Sequence, residues 1–240
     1  MLERIEKLQV LTVGILITSA LIISTQIASK TLSKNVISVT GSAYEIVKSD
    51  SGTLDFEITA KKNTKQEAYK TVQEQLKDVQ KYLESKKIKD IEIKTVHGYY
   101  TYRRVSKTGD YTDIPEYYNI AQPIVIRSKD VNLIKDISTD IASLINQGID
   151  INVFQPSYGY SKLNELKVTL LEKASKDAKD RASSMLKPTH NKVGKLQSVR
   201  MGVYQITPIN SNAVSDSGIS DTSSIDKKVT AVANVSFKIK

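Results

Sequence analysis

The chain has 240 residues, long enough for a full apolar core without disulfide or metal staples, and 40% of it is hydrophobic. It has no cysteine, which excludes disulfides, cysteine-zinc sites and thiol nucleophiles. The net charge is +9, a surface that attracts anionic partners, yet no dense basic run marks a nucleic-acid tract.

The first feature in chain order is Leu8–Ser29, a stretch free of charge. As a helix it would span about 33 Å, enough for a bilayer core. Its densest part, Val10–Ile23, also fits the apolar region of a secretory signal. A cleavage site after Ala28 would place Gln26 at a position that favours a small residue, so residues 1–29 read as an uncleaved anchor. Flanking charge does not set the orientation: Arg4 and Lys7 precede the run, Lys30 and Lys34 follow it. Residues 30–35 form a polar stem, and a single domain is expected over 36–240.

That domain opens with alternation. Ile37 and Val39 form one apolar face and Gly41 closes the stretch; Leu54, Phe56 and Ile58 repeat the pattern as the second arm of a first hairpin. Thr64 and Glu67 form a capping box, followed by Ala68, Val72, Leu76, Val79 and Leu83 at helical spacing. Lysines in "SKKIKD" suit the end of that helix. Two long strands follow, "IEIKTVHGYYTYRRV" and "YYNIAQPIVIRS", the second expected to be an edge or bulged at Pro123. A second helix starts near Asp130, buries Ile134, Ile137, Ile141 and Leu144, and ends at Gly148. After a short strand at "IDINVFQPSYG", a third helix runs from Lys162 to Leu186. Its stripe is Leu163, Leu166, Leu170, Ala174, Ala178, Ala182 and Met185, and Pro188 stops it. "KVGKLQSVRMGVYQI" is a strand, 207–226 a polar loop expected to be mobile, and "KKVTAVANVSFKIK" a strictly alternating final strand. The order is ββαββαβαββ, an α+β class.

Certain features form an ordered set: Val39-Thr40-Gly41, the strand into a long helix from Gly52 to Lys86, and Tyr118 with Ala121 ahead of "IVIRSKDVNLIKDI". They continue with the helix "LEKASKDAKDRASSML" and Gly194-Lys195 after it. This ordered set resembles the SIMPL-domain family of bacterial envelope proteins, some described as periplasmic immunogenic or oxidative-stress-related. One departure is Lys48-Ser49 before Asp50, where the family often carries a proline. The resemblance implies an extracytoplasmic location and, from a relative, self-assembly into a ring-like oligomer. It supplies no catalytic residues.

Chemistry is sparse. His97 and His190 are the only histidines and stand 93 positions apart. Ser184-x-x-Lys187 and Ser224-x-x-Lys227 have the spacing of a lysine-activated serine, and Lys107-Thr108-Gly109 matches a companion triplet in the wrong order. No phosphate-cradling glycine pattern occurs. The expectation is therefore no catalytic, cofactor or metal residues. The informative cluster is Tyr99, Tyr100, Tyr102, Arg103, Arg104, Tyr117 and Tyr118. It is read either as cross-strand pairs covering a hairpin, as a subunit interface, or as a glycan surface; nucleic acid is not expected at an envelope location. The functional expectation is a non-enzymatic, single-pass inner-membrane protein with its domain in the periplasm, held through residues 8–29 and assembling as a homo-oligomer; a cleaved leader would release it to the periplasm. The alternative is a binding module for an anionic envelope polymer or lipid.

Overall fold

The computed structural model describes residues 35–104 and 109–240. Its strands are β1 (Val36–Lys48), β2 (Ser51–Lys62), β3 (Asp90–Ile93), β4 (His97–Arg104), β5 (Tyr111–Ser128), β6 (Asp150–Val153), β7 (Ser157–Gly159), β8 (Val193–Met201), β9 (Gln205–Pro208), β10 (Ile219–Ser220) and β11 (Asp226–Ile239). The helices are α1 (Lys65–Ser85), α2 (Val131–Asp140) and α3 (Leu163–Leu186). The mixed class and the three helices agree with the sequence reading. The anchor and most of its stem lie outside the described residues; among those described, no helix is long and apolar enough to cross a membrane.

The chain forms two compact units. Unit 2 spans Tyr44–Leu170 and Val203–Ala231; unit 1 takes its described residues from 35–43, 171–202 and 232–240. In unit 2, β5 pairs antiparallel with β2 from Ser128 to Tyr118, β3 and β4 share its other edge, and β6 and β7 share the far edge of β2. Large aliphatic side chains fill the core: Leu54, Phe56, Ile58, Val79, Leu83, Ile126, Ile134 and Ile137 are all sealed from solvent. The Thr64 hydroxyl caps α1 by accepting from the Glu67 N–H at 3.2 Å, and the buried stripe of α1 is the one its spacing predicts. Its lysines fall just past the last turn, where Lys87 takes a left-handed φ of 61°. The carboxylate of Asp130 caps α2. The chain then tightens into a 3-10 segment, Ile141–Gln147, and leaves through Gly148 at φ 82°.

Several expectations are corrected. Gly41 does not close the first strand: β1 runs through it to Lys48, and β1 and β2 belong to different sheets, so they are not a hairpin. In unit 1 the reason is visible, because a Cβ at Gly41 would lie 2.1 Å from the Ala174 carbonyl oxygen and 2.4 Å from the Ala178 nitrogen. The backbone of α3 sits directly on the strand, which only glycine permits. On α3, Met185 is exposed and Leu186 is the buried residue that ends the stripe.

Pro123 is neither at an edge nor in a bulge of β5. It pairs with Glu57 on one side, and the expected single strand on the other side breaks into β3 and β4 opposite it. The Lys94 N–H donates to the Pro123 carbonyl at 3.0 Å. A strand residue aims its N–H and C=O at the same neighbour, so the N–H that proline lacks would have served the Lys94 carbonyl. The side-chain amide of buried Gln122 donates to that carbonyl instead.

The segment 207–226 also holds structure that its composition did not suggest. It contains β10, parallel to β9. Gln205 bonds Ser215 through both ends of its amide, and the Lys228 ammonium donates to the Ser211 carbonyl at 2.7 Å. The inward face of β11 extends two residues further than the apolar alternation, to Lys227, which is only 3% exposed. Its ammonium donates to the Asp221 carbonyl at 2.7 Å and lies 3.7 Å from the Asp221 carboxylate.

Candidate interaction surface

The tyrosine-rich segment lies in unit 2 and is the ribbon of β4 and β5. Pairing of β5 with β2 stops at Tyr118, so among the described residues Tyr111–Tyr117 has β4 as its only strand neighbour. A two-stranded ribbon gains little stability of its own in water. The close approach at its base needs glycine: a Cβ on Gly98 would lie 2.5 Å from Ile120 Cδ1 and 2.6 Å from the Asn119 carbonyl oxygen.

Register divides the seven candidate residues between two faces. Tyr100 stands opposite Tyr118, with ring centroids 4.8 Å apart in an edge-on arrangement, and Tyr102 adds a tilted ring at 6.4 Å. Arg104 follows on that side by alternation; its guanidinium lies over Tyr111 and donates to the Tyr111 hydroxyl at 2.7 Å. Tyr99 stands opposite Asn119, and Thr101 opposite Tyr117, so Tyr99, Tyr117 and Arg103 belong to the other face. The Lys61 ammonium sits 3.4 Å from the centre of the Tyr117 ring. The rings therefore do not form one patch.

Tyr99 is 64% exposed, and Tyr111 and Ile114 are similarly open. Tyr99 also borders a hollow of about 780 Å³, lined by Thr64 and Tyr69 from the start of α1 and by His97, Tyr100 and Tyr118 from the ribbon. The sequence reading passed over Tyr69. Its signal was available, since it falls one residue off the buried stripe of α1. The ribbon carries no excess charge: Arg103, Arg104 and Lys107 balance Asp110, Asp113 and Glu116. That balance suits an aromatic protein contact better than an anionic polymer.

The other motifs are placed as follows. Ser184 donates to the Asp180 carbonyl within α3, and Lys187 follows in a 3-10 turn, Lys187–Thr189. Lys227, the partner of Ser224 in the second motif, is committed to Asp221. Burial opposes the Asp221 charge, but hydrogen bonds from Ser223 and Ser224 and the Lys227 charge outweigh it and hold its pKa below the usual carboxylate value. Burial lowers the pKa of Lys227. Lys107 and Thr108 of the triplet lie outside the described residues. Among the described residues no three His, Asp or Glu side chains group as a metal site requires. The Tyr82 hydroxyl donates to Asp140 at 2.8 Å and Lys86 pairs with the same carboxylate at 2.7 Å, a cluster that ties the end of α1 to the end of α2.

The chain belongs to the SIMPL family, described as a protein of unknown function (DUF541), which matches residues 37–237. No curated protein matches it.

Proposed function

We propose that this SIMPL-family chain is a membrane-tethered, extracytoplasmic protein that works without catalysis, by assembling with further copies of itself in an envelope or stress-related role. The observation that supports this reading is the β4–β5 ribbon. Among the described residues its outer half has no third strand, and Tyr99, Tyr102, Tyr111 and Ile114 stand exposed along it. Tyr supplies large, rigid contact area at low entropic cost, and both Tyr and Arg are enriched at interface hot spots. A second copy covering the ribbon removes those rings from water and gives the two strands the neighbour they lack. Apolar Leu8–Ser29 is the tether in this reading.

The test is size-exclusion chromatography with light scattering on the full chain in mild detergent. A defined oligomer is expected, with Tyr100→Ser/Tyr102→Ser shifting it toward monomer while the far-ultraviolet circular dichroism is kept. A strict monomer at micromolar concentration overturns self-assembly.

A further inference from the structure

The sequence shows no dense basic run, yet the fold makes a basic end. The described residues of unit 1 carry ten Lys and Arg against Glu172, Asp177 and Asp180, a net +7, whereas unit 2 carries twenty-one of each sign. No Asp or Glu occurs from Arg181 to Ser215 or after Asp226. Strand pairing brings these two acid-free stretches together. Ile239 pairs with Val193, and Lys192 and Lys240 exchange both backbone hydrogen bonds at 2.8 Å. Lys187, His190 and Lys192 line one hollow of about 460 Å³. Lys195 and Lys238 lie a few residues further along the same strand pair, and both are exposed.

The same end receives the N-terminal segment. The Ile239 N–H donates to the Asn35 carbonyl at 2.8 Å, so the chain enters unit 1 beside Lys192 and Lys240. Five residues, 30–34, separate Ser29 from Asn35, a reach of at most about 20 Å. Near this end, Leu196 is 55% and Met185 61% exposed, apolar groups that suit the headgroup region of a bilayer.

We propose that this lysine-rich end of unit 1 docks on an anionic phospholipid surface, the surface at which the tether ends. The proposal rests on reading residues 8–29 as a membrane anchor. A polybasic segment close to anionic lipid gains about fivefold in binding per lysine, within roughly a Debye length of the surface. The tether supplies the proximity, and the exposed Leu196 and Met185 favour a lipid surface over a soluble polyanion.

Because the chain has no cysteine, Asn191→Cys carries a single environment-sensitive fluorophore. The full chain is reconstituted in nanodiscs of phosphatidylcholine alone or mixed with phosphatidylglycerol, with a lipid-borne quencher. Quenching is expected only in the anionic discs. It is lost at high salt and in Lys187→Gln/Lys192→Gln/Lys195→Gln/Lys238→Gln, whose circular dichroism stays native. The four changes together weaken binding to phosphatidylglycerol vesicles several hundred-fold, at about fivefold each. Quenching independent of lipid charge, or no quenching in either disc, overturns the proposal. So does salt-sensitive binding to polyphosphate by the detergent-held chain with no response to anionic lipid, which assigns the surface to a soluble polyanion. A chain that does not stay with phosphatidylcholine discs overturns the tether reading instead. Lysine-dependent binding to phosphatidylglycerol vesicles then still supports the lipid surface, and its absence overturns it.

Discussion

Units 1 and 2 divide the chemistry of the chain between them. Unit 2 holds all twelve tyrosines and no net charge; the described part of unit 1 holds no tyrosine and a net +7. Their cores differ in kind as well. Unit 2 packs Phe, Ile and Leu between helices and sheet. Unit 1 lays the alanine face of α3 (Ala174, Ala178, Ala182) onto β1 at Gly41, close enough for backbone to meet backbone. Bulky cores tolerate rearrangement by rotamer changes, whereas a backbone contact has no side chain to move. With every tyrosine in unit 2, tyrosine emission reports on that unit alone.

The contrast extends to charge. Unit 2 is neutral overall but buries an ion pair, Lys227 with Asp221, while the lysines at the basic end of unit 1 are exposed. The largest expected effect is therefore Lys227→Met. It strands a buried carboxylate and costs about 3–5 kcal/mol, read as a fall in the urea midpoint of tyrosine emission. Adding Asp221→Asn removes the stranded charge and recovers much of the loss. Lys192→Gln in unit 1, read as the urea midpoint of far-ultraviolet circular dichroism, which follows both units, costs under about 0.5 kcal/mol, as an exposed change should. Equal losses for Lys227→Met and Lys192→Gln would erase the distinction.

Gly41→Ala probes the backbone contact of unit 1. The added Cβ meets Ala174 and Ala178 backbone atoms below 2.5 Å, and the expected cost is about 3 kcal/mol. Gly52→Ala in unit 2 meets only the Ile134 side chain, at 3.1 Å or more, and costs about 1 kcal/mol. Hydrogen exchange checks the location: the Gly41→Ala change speeds exchange in β8 more than in the β2–β5 ladder. A Gly52→Ala variant as unstable as Gly41→Ala would refute the difference in core type.

A smaller effect, about 1–3 kcal/mol, is expected for Gln122→Leu, which leaves the Lys94 carbonyl without its donor. Amide exchange should rise first where β3 meets β4. An unchanged midpoint would show that the side-chain amide does not substitute for the missing proline N–H.

These positions also mark what a linear reading can and cannot reach. Helix α1 was legible because its cap and its stripe are local: Thr64 and Glu67 are three residues apart, and the buried residues recur every turn. The alternation of β11 was legible for the same reason, and extending it by two residues would have placed Lys227 inside. Gly41 misled because glycine reads as a stop, and its actual cause is a helix more than 130 residues later. The break between β3 and β4 is written not in their own sequence but in Pro123 of the facing strand. The aromatic ribbon was legible as a cluster, while its division into two faces needed the register. The basic end was hidden because Lys192 and Lys240, far apart in the chain, meet only where β8 pairs with β11.

A smaller effect still than that of Gln122→Leu tests how unit 2 closes on itself after β1. Asp50, at the turn from β1 to β2, accepts from the Ser161 N–H at 2.8 Å and from the Ser161 hydroxyl. The hydroxyl bond is the main reason its pKa lies below the usual carboxylate value; burial opposes it, and the Ser161 amide, its own amide and the Lys162 charge add to it. A carboxyl whose folded pKa is depressed stabilises the fold above its unfolded value, near 3.9, and loses that contribution as pH falls through the folded value. Asp50→Asn is thus expected to cost about 1 kcal/mol at neutral pH. The gap from the parent chain should close in acid, because the protonated Asp50 carboxyl and the amide that replaces it are then both neutral. Urea midpoints from tyrosine emission at neutral and acid pH measure it directly. A gap that keeps its size across that range would show that the charge on Asp50 contributes nothing and that only the shape of the turn matters.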